Sequence, residues 1–188
     1  VIEQEITTIS DTDNLETLNN RLSKISSKLL IKALKNIEKT MGLTMSKRLE
    51  VLKAIDQSKL NRNISYARQL KKEDYLIDWN SNSREIIKKV LGLYPNSYTI
   101  YNGKRIKIIE ATLIDDKFSS IYKDVINELK TIKISPGQII RNQNKSLIIM
   151  TKDSPILIKY GQLQGKTKTD GNTLFKQSKL SINAILGT

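Results

Sequence analysis

Two groups of cations interleaved with tyrosine carry the chemistry open to this sequence. The first surrounds Asn102-Gly103. This dipeptide predicts a two-residue type I′ turn between strands at residues 97–101 and 104–111. With that loop, Tyr101 opposes Lys104, Ile100 opposes Arg105, Thr99 opposes Ile106 and Tyr98 opposes Lys107, and opposed residues share a face. Tyr98, Ile100, Arg105 and Lys107 therefore lie on one side of the hairpin, and Thr99, Ile106 and Ile108 on the other. Cations beside an aromatic ring suit a single-stranded or looped polynucleotide, because phosphates meet Lys or Arg and an unstacked base meets a π-face. An ordinary half-buried hairpin with solubilising cations fits the same residues equally well.

The second group is Lys159, Lys166 and Lys168, placed around Tyr160, Gly161 and Gly165. Its glycines do not follow the phosphate-loop spacing and open no clear helix, so a strand bend or bulge is the better reading of them. Lys104 and Lys145 are secondary candidates for contact with a polyanion. Other chemistry has little to work with. The chain contains no cysteine and no histidine, which removes disulfides, thiolate metal sites, thiol catalysis and the commonest general base. Asp115-Asp116 falls in a loop, and Asp11 and Asp13 precede a helix, with nothing to tune a general acid. Ser26-Ser27 and Ser119-Ser120 have no partner base within reach by sequence. The lone Trp79 reads as domain-boundary packing. Neither a catalytic nor a metal site is expected within these residues.

Charge gives the two groups a setting. The 188 residues carry a net +13. Residues 1–80 hold 14 Lys and Arg against 11 Asp and Glu, and residues 81–188 hold 18 against 8. The surplus is thus +3 in the first part and +10 in the second. A cationic field confined to one part points to a polyanionic partner. A Lys-, Asn- and Ile-rich composition of the kind an AT-rich genome favours accounts for the total charge but not for its asymmetry. No apolar run approaches the roughly 18 residues needed to span a bilayer. The acidic N-terminus does not resemble a signal peptide and reads as a start in mid-fold.

The elements that must position these residues follow from periodicity. Residues 2–9 alternate weakly, as an edge strand does. Asp11, Thr12 and Asp13 offer capping oxygens, with Glu16 three positions after Asp13. Leu15, Leu18, Leu22, Ile25 and Leu29, extended by Ala33, Leu34 and Ile37, predict an amphipathic helix over residues 14–39. Its other face carries Arg21, Lys24, Lys28, Lys32 and Lys35, better read as a solvated face than as a nucleic-acid rail. Gly42 ends it. A weaker helix is predicted over 45–60, and a polar extended stretch over 61–72. A short helix at 81–91, capped by Ser81 or Ser83 and buried through Ile86, Ile87, Val90 and Leu91, stops at Gly92 and Pro95. After the hairpin, residues 112–134 read as an insertion with a helix near 120–129. Strands follow at 138–142, 146–151 and 156–164, with a closing helix near 173–178. The pattern is α+β, mainly β: a helical N-terminal segment and linker followed by a small OB-like antiparallel barrel.

Several of these segments, in this order, resemble methionyl-tRNA formyltransferases. Ser65–Trp79, SYARQLKKEDYLIDW, resembles that family's junction segment. REIIKKVLGLYP resembles the helix and proline corner opening its C-terminal domain, YNGKRIKIIEA its first hairpin, SPGQII a later strand, and LQGKTKTDGNTLF its closing segment and helix. DTDNLETLNNRLSKISSKLLIKALKNIE resembles the helix that ends its catalytic domain. The resemblance implies a division into residues 1–60, the helical tail of the catalytic domain; 61–79, the linker; and 80–188, an OB-like tRNA-binding domain. It implies a role in translation initiation: binding initiator methionyl-tRNA so that its methionine is N-formylated, with 10-formyltetrahydrofolate as donor for the whole enzyme and no cofactor held by this part.

The family's catalytic Asn, His and Asp match no position here. Arg105, Lys107, Lys159, Lys166 and Lys168, with Lys104 and Lys145 behind them, are the expected phosphate contacts, and Tyr98 the expected stacking residue. The chain departs from the family at Tyr94-Pro95-Asn96-Ser97, at Tyr75, and in the length of 39–63 and 112–134. Such drift suits a mitochondrial homologue in the matrix, with the bacterial cytoplasm as the alternative. A monomer without membrane attachment is expected. A relative acting on nucleotide sugars or formyl-folate, and a stand-alone OB-type RNA-binding module, are the competing readings.

Overall fold

The computed structural model describes residues 1–59, 65–114, 134–143 and 145–187. The chain divides into two compact units, Val1–Gln69 and Leu70–Thr188.

The first unit is helical. Helix α1 spans Leu15–Glu38 and α2 spans Met45–Val51. The cap of α1 differs from the expected one. Asn14 is the N-cap, and it exchanges bonds with Thr17 through its side chain and its backbone N–H. Asp13 instead receives Arg21 Nη1 at 3.0 Å, and Arg21 Nη2 also donates to the Thr8 carbonyl at 2.8 Å. Residues 2–9 form no strand; they run beside α1, with Glu3 bonded to Lys32 at 2.7 Å and to Asn36 at 3.2 Å. The second helix is shorter than its periodicity implies, because Lys53 turns to φ 48° and breaks the run. No residue of α1 is fully buried. Its apolar stripe is half-buried at Leu18, Ile25, Leu29 and Ile37, whereas Leu30 is 61% and Leu34 56% exposed.

The second unit is an antiparallel sheet with two helices, so the class is α+β. Strands β1 Tyr98–Tyr101, β2 Lys104–Leu113, β3 Ile139–Gln143, β4 Ser146–Met150, β5 Pro155–Leu163 and β6 Thr169–Asp170 accompany helices α3 Ser83–Gly92 and α4 Gly171–Gln177. The sheet order is β1-β2-β5-β4-β3, with β6 pairing β5. Segment 183–187 runs from one outer strand toward the other. Asn183 N–H donates to Ile139 O, Ile139 N–H to Ala184 O, Leu186 N–H to Gly137 O, and Gly187 N–H to Ile100 O of β1. Hydrogen bonds on both sides of this segment satisfy edges that the strands leave open. The insertion read at 112–134, with its helix near 120–129, lies outside the described residues except at its ends.

The core follows from alternation in the strands. Ile106, Ile108, Ile139, Leu147, Ile149, Ile156 and Ile158 point inward and meet Ile86 and Val90 of α3 and Leu174 of α4. Trp79 belongs to this core at 4% exposure, rather than to boundary packing, and its Nε1 donates to Thr99 Oγ1 at 3.0 Å. Gly161 is set by close packing. A Cβ there would lie 2.5 Å from Leu174 Cδ2 and 2.8 Å from the Lys107 carbonyl, so only glycine lets α4 settle on β5.

Candidate nucleic-acid interface

Local sequence builds the hairpin. Asn102 and Gly103 take φ 48° and 71°, the left-handed values that a type I′ turn needs at both central positions. The register that results pairs Tyr98 with Lys107, Thr99 with Ile106, Ile100 with Arg105 and Tyr101 with Lys104. Thr99 and Ile106 are buried, while Arg105 is exposed and Tyr98 and Lys107 are half-buried on the outer face. Arg105 Cζ lies 4.5 Å from the centre of the Tyr98 ring. Lys107 Nζ donates to Asn96 Oδ1 at 2.9 Å.

The sheet carries this face onward. Lys107 of β2 is paired with Gln162 of β5, so Tyr98, Lys107 and Gln162 form one row across three strands. Two residues along β5, Tyr160 pairs with Asp170 of β6, and Lys168 Nζ stands 4.6 Å from the centre of its ring. A second cation–aromatic pair thus stands on the same face, two strands away from Tyr98. Lys166 contributes its carbonyl to this corner, accepting from Gln162 Nε2 at 2.6 Å. Asp170 anchors the start of α4 beneath it. Its carboxylate accepts the Thr173 N–H at 3.0 Å, the Thr173 hydroxyl at 2.8 Å and the Asn172 N–H at 3.0 Å, and these bonds hold it below its ordinary value.

The expected cations are not equivalent. Lys159 Nζ lies 3.4 Å from Glu110 Oε1, so an incoming phosphate would compete with a resident carboxylate. Lys104 stands at the hairpin tip and lines a separate depression of about 100 Å³ with Tyr101, Leu163, Ser178 and Lys179. Lys145 takes φ 61° in the β3–β4 turn, and its carbonyl accepts the Gly171 N–H.

Sequence reasoning missed three residues. Lys72, Tyr75 and Asn96 join Tyr98, Arg105 and Lys107 around a depression of about 270 Å³. Lys72 and Tyr75 belong to a 3₁₀ turn, Lys72–Tyr75, which Asp74 closes by accepting the Lys71 N–H at 2.7 Å. Directly after it, Leu76 bridges Tyr98 in parallel, and Ile77 N–H donates to Tyr98 O at 2.8 Å. The alternation of Ile77 and Trp79, both buried about an exposed Asp78, ahead of a capped helix was the available signal that this stretch adds to the sheet. The cap of α3 is Asn82, reciprocated by Glu85, instead of Ser81 or Ser83. Ser83 N–H instead donates to Asp153 Oδ1 at 2.7 Å, which ties α3 to the β4–β5 turn.

Among the described residues, no group of three His, Cys, Asp or Glu could hold a metal ion. No described helix is long and apolar enough to cross a membrane.

The comparisons with known proteins bear on the family and the fold. Residues 69–179 match the formyl transferase C-terminal domain family. A methionyl-tRNA formyltransferase of Prochlorococcus marinus (strain NATL2A) is 56% identical over 189 residues, covering 100% of this chain and 56% of that protein. Another, from Prochlorococcus marinus (strain MIT 9515), is 35% identical over 100% of this chain and 53% of that protein. One from Synechococcus sp. (strain CC9311) is 32% identical over 94% and 53%. The chain belongs to the methionyl-tRNA formyltransferase family. It spans about half the length of the curated relatives it matches. These relatives are bacterial and lend the mitochondrial expectation no support. A crystal structure of a HypX variant from Aquifex aeolicus superposes with TM-score 0.62 at 13% identity, covering 94% of this chain and 28% of that one, a likeness of fold alone.

Proposed function

We propose that this chain is the C-terminal part of a methionyl-tRNA formyltransferase, and that its second unit, an OB-type barrel, grips initiator methionyl-tRNA for N-formylation in translation initiation. The observation that carries the reading is the outer face where Tyr98, Arg105, Lys107 and Tyr160 stand on adjoining strands, with Lys168 over the Tyr160 ring. The +10 surplus of residues 81–188 and the names of the relatives support it. Binding runs mainly through phosphates, with Lys104, Lys145 and Lys166 widening the contact and Lys159 joining once Glu110 yields it.

Formyl transfer belongs to a catalytic domain outside this chain. The exposed stripe of α1, through Leu30 and Leu34, fits a surface which that domain covers. The donor implied for the whole enzyme, 10-formyltetrahydrofolate, is assigned to that domain; the two depressions lined by described residues, of about 270 and 100 Å³, lie below the roughly 300–1,000 Å³ of small-molecule sites. The protein works as a monomer in the bacterial cytoplasm.

The test is competition binding by the full chain, with initiator tRNA, elongator tRNA and a generic polyanion as competitors. Initiator tRNA should displace the probe at the lowest concentration. Equal displacement by the polyanion would reduce the surface to a non-specific one and overturn the assignment.

A further inference from the structure

The geometry points to a site for one unpaired ribonucleotide in the depression between Tyr75 and the Arg105–Tyr98 pair. The inference rests on the tRNA-binding reading and makes it specific: this corner recognises a splayed-out base rather than duplex backbone. Three cations, Lys72, Arg105 and Lys107, and two tyrosines line a hollow of about 270 Å³. That volume is small for an entire ligand and ample for one base with part of its sugar.

Each wall suits the chemistry. Arg105 already lies over the Tyr98 ring at 4.5 Å, so its guanidinium is held in place on this face by its neighbour. A guanidinium plane and a tyrosine ring are both platforms on which an unstacked base settles. Tyr75 supplies the second platform because the Leu76–Tyr98 bridge lays its turn directly alongside β1. The Asn96 side chain has its oxygen occupied by Lys107 Nζ at 2.9 Å, which leaves the amide N–H groups to meet a base edge. Lys72 then takes the phosphate that follows.

The experiment compares a short single-stranded oligoribonucleotide carrying 2-aminopurine with a blunt RNA duplex of equal length, using the full chain and its Tyr75→Leu variant. On the native chain the probe's fluorescence should be quenched on binding, as stacking on an aromatic ring requires. In Tyr75→Leu the preference for single strand over duplex should fall about tenfold, within the range that loss of one stacked base produces. Absence of quenching on a native chain that binds the oligonucleotide overturns the inference. So does a variant that loses affinity for both RNAs in the same proportion. If neither RNA binds the native chain, the tRNA-binding reading fails first and takes this site with it. Lys72→Gln provides a second variant that leaves the packing of Tyr75 intact; it should weaken single-strand binding while retaining the quench.

Discussion

Neutralising three cations on the outer face should halve the salt dependence of RNA binding. The perturbation is Arg105→Gln, Lys107→Gln and Lys168→Gln together. Among the described residues, six of the seven expected cations (Lys104, Arg105, Lys107, Lys145, Lys166 and Lys168) have no carboxylate partner, whereas Lys159 is drawn to Glu110. If each of the six neutralises one phosphate, the slope of log affinity against log salt is about −5. Raising salt from about 50 to 200 mM then weakens binding by about a thousandfold. With three removed, the slope falls to about −2.5 and the same change weakens binding by about thirtyfold. The variant should stay folded, because Arg105 and Lys168 are exposed and none of the three side chains belongs to the core. Filter binding across a salt titration provides the assay. A triple variant whose slope matches that of the native chain would refute the electrostatic reasoning, even if its affinity had dropped.

Three further predictions concern the scaffold beneath that face. Gly161→Ala should lower stability by about 1–3 kcal/mol, read as a reduced urea midpoint, because its Cβ meets a backbone carbonyl that cannot move aside. Trp79→Phe removes the hydrogen bond to Thr99 and leaves a buried hydroxyl, at a cost of about 1–3 kcal/mol; adding Thr99→Val should recover part of that loss, and a double variant equal to the sum of the singles would contradict the pairing. Acid should loosen α3. Burial pushes Asp153 up, but bonds from the Ser83 N–H and hydroxyl and from the Thr151 hydroxyl outweigh it, so its folded pKa is lowered from the ordinary 3.8. A lowered carboxylate stabilises the fold above its unfolded value and loses that contribution as pH falls below it. Thermal melts should therefore decline below about pH 4 in the native chain and decline less in Asp153→Asn.

Much of the second unit was legible because its signals are local. The Asn-Gly turn dictated the hairpin register residue for residue, and inward isoleucines at alternate positions placed β2, β4 and β5 within a residue or two of their bounds. The cap of α1 was misread by one residue, since Asp13 and Asn14 both carry an oxygen of the right reach and only the Arg21 contact decides between them. The apolar face of α1 is only half-buried among the described residues, and Leu30 and Leu34 stand exposed. Its periodicity states that an apolar surface exists but not that the same stretch of chain supplies what covers it.

The sequence by itself determined the composition of the interface: cations without cysteine or histidine, a surplus placed after residue 80, and a hairpin that puts Tyr98, Arg105 and Lys107 on one side. Spacing along a strand suffices for that, because side chains alternate with a period of two whatever the rest of the chain does. Only the tertiary structure decided which distant residues join them. The Leu76–Tyr98 bridge brings Lys72 and Tyr75 to the hairpin, the β2–β5 pairing brings Tyr160 and Lys168, and the same pairing sets Glu110 against Lys159. Such contacts depend on which strand edges remain unsatisfied once the core has closed, a quantity no local window of sequence contains.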